Sequence, residues 1–232
     1  EKYPDIMVVM GEGEEAMREL VEYVKGRGSL KDIGNLAYKD KRTGQIVYTK
    51  DVYPDASKLI HSPSMDTVDQ VLSEGGNVML QTSRGCAWGR CSFCTKSQFR
   101  HAGKTPPPEK AYCWSGLDTK RVLDTFEEFY ARGVKSIEIV AEDHFIGGRD
   151  EENIKRVEAI VDGLRILKEK YGRVMEFIIF VRPNIIYQQG DPEGNNRMKD
   201  LLKKMKEVGF SRVFLEADSG SITQSRRFMK GL

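Results

Sequence analysis

Apolar and polar positions along this chain fall into blocks whose period changes, and the blocks divide it in two. Asp5 to Met10 is a short apolar run ending in Gly11-Glu-Gly-Glu14; beyond it Met17, Leu20, Val21 and Val24 recur at helical spacing up to Gly26 and Gly28. That pattern predicts a strand, a glycine turn and a helix. Between Gly34 and Tyr48 short apolar stretches flank Lys41-Arg-Thr-Gly44, the signature of a small hairpin. A polar passage with Pro54 and Pro63 follows, closed by Glu74-Gly-Gly76. The boundary between two domains is therefore placed near Pro63, giving residues 1–63 and 64–232.

In the second part strand-like runs alternate with amphipathic helices. Asn77 to Thr82 reads as a strand and leads into a long loop; Val122, Leu123, Phe126, Phe129 and Tyr130 then share one helix face that ends at Gly133. The unit repeats: a strand from Ser136 to Val140, a stripe of Ile154, Val157, Ile160, Val161, Leu164 and Leu167 ending at Gly172, and a strand from Met175 to Val181. Met198, Leu201, Leu202, Met205 and Val208 make a third helix and Arg212 to Leu215 a fourth strand. Strict alternation of this kind implies right-handed β-α-β units, hence an open α/β sheet or part of a barrel. Ligands gather at the carboxyl ends of the strands in both architectures.

Length and charge narrow the class. A chain of 232 residues buries one good-sized core, or one domain and part of another. Its formal net charge of +2 comes from interleaved acids and bases, without the basic stripe that tracking phosphates requires, so nucleic acid is not an expected partner. The sequence holds no run of about eighteen apolar residues, and Glu1 to Asp5 lack the basic and apolar regions of a signal peptide. The expectation is a soluble, cytoplasmic chain with no membrane partner.

The chemistry concentrates in one loop. Gln81-Thr-Ser-Arg-Gly-Cys-Ala-Trp-Gly-Arg-Cys-Ser-Phe-Cys94 leaves the first strand of the alternating region with cysteines spaced C-x4-C-x2-C. Three of the four cysteines are thus packed between Cys86 and Cys94, which does not look like a disulfide framework. A cubane iron–sulfur cluster takes one cysteine per iron, so a site supplying three leaves one iron open. Gly85 and Gly89 give the loop the freedom to wrap a cluster, and Arg84, Arg90 and Lys96 place positive charge near it. The alternative is a structural zinc site with Cys113 as fourth ligand, although the usual second C-x2-C or histidine pair is missing and His61, His101 and His144 each stand alone. Cys113, beside Trp114, reads as a small buried filler.

These residues resemble the radical S-adenosylmethionine (SAM) superfamily, whose signature is three cysteines in the loop after the first strand of a partial (β/α)6 barrel. The family spacing is C-x3-C-x2-C, one residue shorter than here. The resemblance continues in order along the chain through Ala141-Glu-Asp-His-Phe145, Phe180-Val-Arg-Pro-Asn184, and Leu215-Glu-Ala-Asp-Ser-Gly-Ser221 followed by Met229-Lys-Gly231. The last two passages resemble the R-x-D/N and G-x-E-S-G-S…K-G steps of the cobalamin-associated branch, with Glu216 for glycine and Asp218 for glutamate. Gly11-Glu-Gly-Glu14 with its hairpin resembles the last strand, helix and linker of a Rossmann-like cobalamin-binding domain. An ordinary glycine turn before a helix, with acids at its positive end, explains the same four residues without a ligand.

The resemblance implies an α/β chain with about four units of the radical SAM barrel behind the tail of a cobalamin-binding domain. It implies that further strands follow Leu232 and that most of the cobalamin domain precedes Glu1. It gives Cys86, Cys91 and Cys94 to a [4Fe-4S] cluster. Phe93, Glu142, Asp143, Arg182, Asp218 and Ser219 go to SAM, and Gly11, Glu12 and Gly13 to cobalamin. The implied activity is reductive cleavage of SAM to a 5′-deoxyadenosyl radical, fed by an electron donor such as flavodoxin or ferredoxin, with cobalamin-dependent methyl transfer to carbon as one outcome. An oxidoreductase or rearrangement enzyme without cobalamin is an alternative, and a zinc-stabilised α/β binding module is a rival of another class. The sequence names no substrate.

Overall fold

The computed structural model describes residues 6–52, 56–58, 63–94, 114–140 and 145–230. His61, Lys96, His101, Cys113, Glu142, Asp143 and His144 lie outside the described residues. Two compact units are present, Glu1–Pro54 with Cys94–Ala111 and Asp55–Phe93 with Tyr112–Leu232.

The first unit contains β1 (Met7–Val9), α1 (Glu14–Val24), β2 (Leu36–Lys39) and β3 (Ile46–Tyr48). The three strands form an antiparallel sheet in the order β1-β2-β3, so the hairpin forms where the turn chemistry predicts it. The Asp40 carboxylate accepts from the backbone N–H of Arg42 at 2.7 Å and of Thr43 at 3.0 Å, which closes that turn. Helix α1 forms where the period predicts it, and its burial is uneven. Ala16 is the residue that packs with Ile33 and Leu36, with Leu20 partly buried against them. Met17, Val21 and Val24 are exposed, Val24 by 80 %. The apolar stripe of α1 is wider than the face that three short strands can cover.

The second unit is built on a parallel sheet of β4 (Val78–Leu80), β7 (Ser136–Ile139), β8 (Glu176–Val181) and β9 (Phe210–Leu215), in that order. Between β4 and β7 lies a two-stranded antiparallel ribbon of β5 (Ser83–Arg84) and β6 (Ser115–Gly116). The short helix α2 (Val68–Ser73) precedes β4. The connecting helices are α3 (Thr119–Ala131), α4 (Glu151–Tyr171), the single turn α5 (Pro183–Ile186) and α6 (Pro192–Glu207), with α7 (Ile222–Arg227) after β9. Sequence patterning places each of the three long helices. Asp118, Asp150 and Asp191 stand at their N-caps and accept from Arg121, Asn153 and Gly194 backbone N–H groups. All six residues of the α4 stripe are buried, as are Val122, Phe126, Phe129 and Tyr130 of α3 and Met198, Leu201 and Met205 of α6. They join the inward residues of the strands in one core. No described helix is long and apolar enough to cross a membrane.

Two arginines that periodicity does not mark fix the strand ends. Arg156 rises from the buried side of α4, and its guanidinium donates to the Thr82 carbonyl at 2.6 Å and more weakly to the Leu117 carbonyl at 3.4 Å. Thr82 and Leu117 flank the β5–β6 ribbon, and the Leu117 N–H donates to the Thr82 carbonyl at 3.0 Å. Trp114 covers the guanidinium with its ring centroid 5.5 Å away. Desolvation pulls the Arg156 pKa down to about 10, so it stays charged at neutral pH. Arg149, ahead of α4, donates to the Ile185 carbonyl at 3.0 Å, to Asp191 at 2.8 Å and to Asn195 at 3.0 Å. It ties the connection after β7 to the one after β8.

Replacing Arg156 by Met removes charge-assisted bonds to two carbonyls while keeping most of the side-chain volume. We expect a loss of about 2 kcal/mol in urea unfolding. A change within a few tenths would show that the ribbon does not depend on it. The second prediction concerns acid. The Gly194 N–H first and the Arg149 guanidinium second hold the Asp191 carboxyl below its ordinary range. A depressed folded pKa means that this stabilisation is complete above the unfolded value of about 3.9 and is lost as pH falls through the folded one. Protection of the Gly194 and Asn195 amides, taken relative to the intrinsic exchange rate at each pH, should therefore fall below about pH 4, and Asp191→Asn should show the lower protection already at neutral pH.

Candidate functional site

The cysteine loop begins at the ribbon, at the carboxyl end of the parallel sheet. Gly85 and Gly89 have φ of 80° and 57°, left-handed values that a side chain would resist, so the backbone freedom read from the sequence is used. Cys86, Cys91 and Cys94 are half-buried and none is in a disulfide. The backbone N–H of Trp88 donates to Cys86 Sγ at 3.4 Å. Thiols are the donors that an iron–sulfur cluster takes, so the donor set fits one. Among the described residues no three His, Cys, Asp or Glu side chains stand close enough together to hold a metal ion between them. Gathering thiolates is a step that metal binding itself commonly drives.

Beside the loop lies the turn that ends α7. Ser221 caps this helix by accepting from the Gln224 N–H, and Phe228, Met229 and Lys230 close it, with Lys230 N–H bonded to the Ser225 carbonyl at 2.9 Å. The Ser92 N–H donates to the Phe228 carbonyl at 2.9 Å. The Trp88 indole N–H donates to the Met229 carbonyl at 2.6 Å. Phe93 and Phe228 meet edge to face with centroids 5.9 Å apart.

Three of the residues expected to face SAM converge here. Arg182 follows β8 directly, is 5 % exposed, donates to the Lys230 carbonyl at 3.3 Å and lies 5.3 Å from the Trp88 ring. Asp218 follows β9 and pairs with the Lys230 ammonium, which also lies 5.8 Å from the Phe93 ring. Phe93 itself is 55 % exposed. Ser219 turns away, its hydroxyl directed to Gln224 at 3.3 Å and accepting from the Ser221 N–H at 3.0 Å. Glu142 and Asp143 lie outside the described residues; Phe145, the aromatic after them, is buried in the core. Gly11, Glu12 and Gly13 belong to the first unit, where they join β1 to α1, and Gly11 has a φ of 96°.

Lys230 and Trp88 are the residues that sequence reasoning left without a role. Lys230 is 7 % exposed, and its side chain or carbonyl meets Asp218, Phe93 and Arg182. The signal available was its place in the K-G step; nothing in the spacing says which loop it reaches.

No family model matches the chain. It is 25 % identical over 237 residues to the 4′-phospho-dehydrooxetanocin synthase of Priestia megaterium, a match that takes in 100 % of this chain and 30 % of that protein. Among solved structures it is similar to the cobalamin-dependent SAM radical enzyme OxsB with aqua-cobalamin and SAM bound, with a TM-score of 0.82 and 24 % identity over 100 % of this chain and 30 % of that one. It is also similar to the radical SAM methyltransferase TsrM from Kitasatospora setae with cobalamin and a [4Fe-4S] cluster bound, with a TM-score of 0.60 and 16 % identity over 91 % of this chain and 37 % of that one. The chain thus spans about a third of the length of the proteins it matches, and over that span its fold is the one found in cobalamin-dependent radical SAM enzymes.

Proposed function

We propose that this chain is the cluster-bearing part of a radical SAM enzyme, with Cys86, Cys91 and Cys94 as ligands of a [4Fe-4S] cluster. The observation that carries the reading is a three-cysteine loop, no thiol of it in a disulfide, that leaves the carboxyl end of a parallel sheet whose strands β8 and β9 are followed by Arg182 and Asp218. Three ligands would leave one iron of the cluster open to bind SAM. When bound, the reduced cluster supplies the electron that cleaves SAM to methionine and a 5′-deoxyadenosyl radical.

The chain's own residues bind and orient. Arg182, fixed at the end of β8, offers a guanidinium suited to a carboxylate. The half-exposed Phe93 ring offers a face for adenine. Asp218 takes the ribose side, joined by Ser219 once its hydroxyl leaves Gln224, and Glu142 or Asp143 helps to hold the amino group. Gly11, Glu12 and Gly13 contribute to a cobalamin site, and with cobalamin bound the reaction is methyl transfer to carbon. A flavodoxin or ferredoxin donates the electron. The fold shared with an enzyme that binds SAM and cobalamin supports this reading.

The test is anaerobic reconstitution with iron and sulfide, followed by electron paramagnetic resonance of the reduced protein with and without SAM. We expect about four irons per chain and a cubane signal that changes on adding SAM. Replacing Cys86, Cys91 and Cys94 by alanine should abolish both. A colourless protein holding one zinc would overturn the assignment. Corrinoid retention after reconstitution separates the cobalamin-dependent activity from one that proceeds without it.

A further inference from the structure

Three consecutive carbonyls, those of Phe228, Met229 and Lys230, are each taken by a different donor: the Ser92 N–H, the Trp88 indole and the Arg182 guanidinium. Two of these donors belong to the cysteine loop and the third to the end of β8. Met229 holds a φ of 53°, left-handed and unfavourable for a residue with a side chain. Such a conformation persists where surrounding contacts over-determine it. Trp88 stands inside the four-residue step between Cys86 and Cys91, and its own backbone N–H reaches Cys86 Sγ. Anchoring its indole therefore anchors Cys86, and anchoring the Ser92 N–H anchors the residue after Cys91.

We propose that the Phe228–Lys230 turn is a latch that sets the shape of the cysteine loop before metal arrives, with Trp88 and Lys230 as positioning residues. Lys230 works through its side chain, which joins Asp218 to the Phe93 ring. The lengthened C-x4-C step supplies the arm that reaches the turn. The latch deepens the cluster reading above and rests on it only for its purpose.

The test uses the full chain before iron is added, with peptide-resolved alkylation of Cys86, Cys91 and Cys94 by iodoacetamide, and iron loss to a chelator after reconstitution. Trp88→Phe keeps a ring and removes the N–H; alkylation of Cys86 and the rate of iron loss should each rise about fivefold, the worth of one hydrogen bond, with helix content unchanged. Lys230→Met leaves Trp88 and all three carbonyls in place and serves as the second variant. It should raise alkylation of Cys94, the neighbour of Phe93, by the same order. Alkylation rates unchanged in both variants would overturn the latch whatever metal the loop takes. Raised rates in a chain that takes up no iron would keep the latch and remove the cluster reading instead.

Discussion

The Arg156 guanidinium is the contact on which the cysteine loop depends. The excursion from Gly85 to Trp114 must begin and end at one place on the sheet, and the ribbon that brings its ends together has only two residue pairs, Ser83 with Gly116 and Arg84 with Ser115. A two-stranded ribbon of that size is not stable by itself. Arg156 reaches it from below, bonding the carbonyls on both flanks and lying under Trp114. The fit excludes larger side chains. A Cβ added at Gly116 would come within 2.3 Å of Arg156 Nε, and one at Gly147 within 2.3 Å of the Trp114 ring. Two glycines thus give the cation and its aromatic cover the room they occupy.

The same device recurs. Arg149 joins the connections that follow β7 and β8, Arg182 holds the turn after α7, and at the opposite end of the sheet Arg173 donates to the Val134 carbonyl at 2.6 Å and the Tyr130 carbonyl at 2.5 Å. Backbone carbonyls at the ends of helices and strands lack partners within their own element, and a planar guanidinium can serve two or three at once. Burying such a cation is costly, and with Arg149 Nε and Arg156 Nη1 buried without a hydrogen bond, losing a further one to movement of the loops they hold would add to that cost.

This explains which parts of the fold were legible. The stripes of α3, α4 and α6 could be read because burial follows the helical period there, and the hairpin because Gly44 marks its turn; the aspartate caps and the Asp40 turn bonds come from the structure. The cysteine loop was legible from ligand type and spacing alone. The staples were not, because an arginine in a helical pattern reads as solvated and its target lies far along the chain: Arg156 and Thr82 are 74 residues apart, and Trp88 and Met229 are 141 apart. The α1 stripe predicted its helix but not which of its residues are covered. Period reports which face is apolar and says nothing of whether the unit covers it.

The two departures from the family pattern after β9 find a physical account in the backbone. Glu216 continues the sheet, its N–H donating to the Val181 carbonyl at 3.2 Å, so the position works as a strand extension in which a side chain is tolerated. Asp218 has a φ of 57°, the left-handed region that aspartate enters more readily than glutamate because its short carboxylate can bond locally. From that conformation it pairs with Lys230, an ammonium that is nearly buried and would be costly to leave uncompensated. A glutamate would keep the charge and lose the backbone preference. The carboxylate at 218 is thus bound to the residue that also meets Phe93 and Arg182, and a change at Asp218 reaches the cysteine loop through that one lysine.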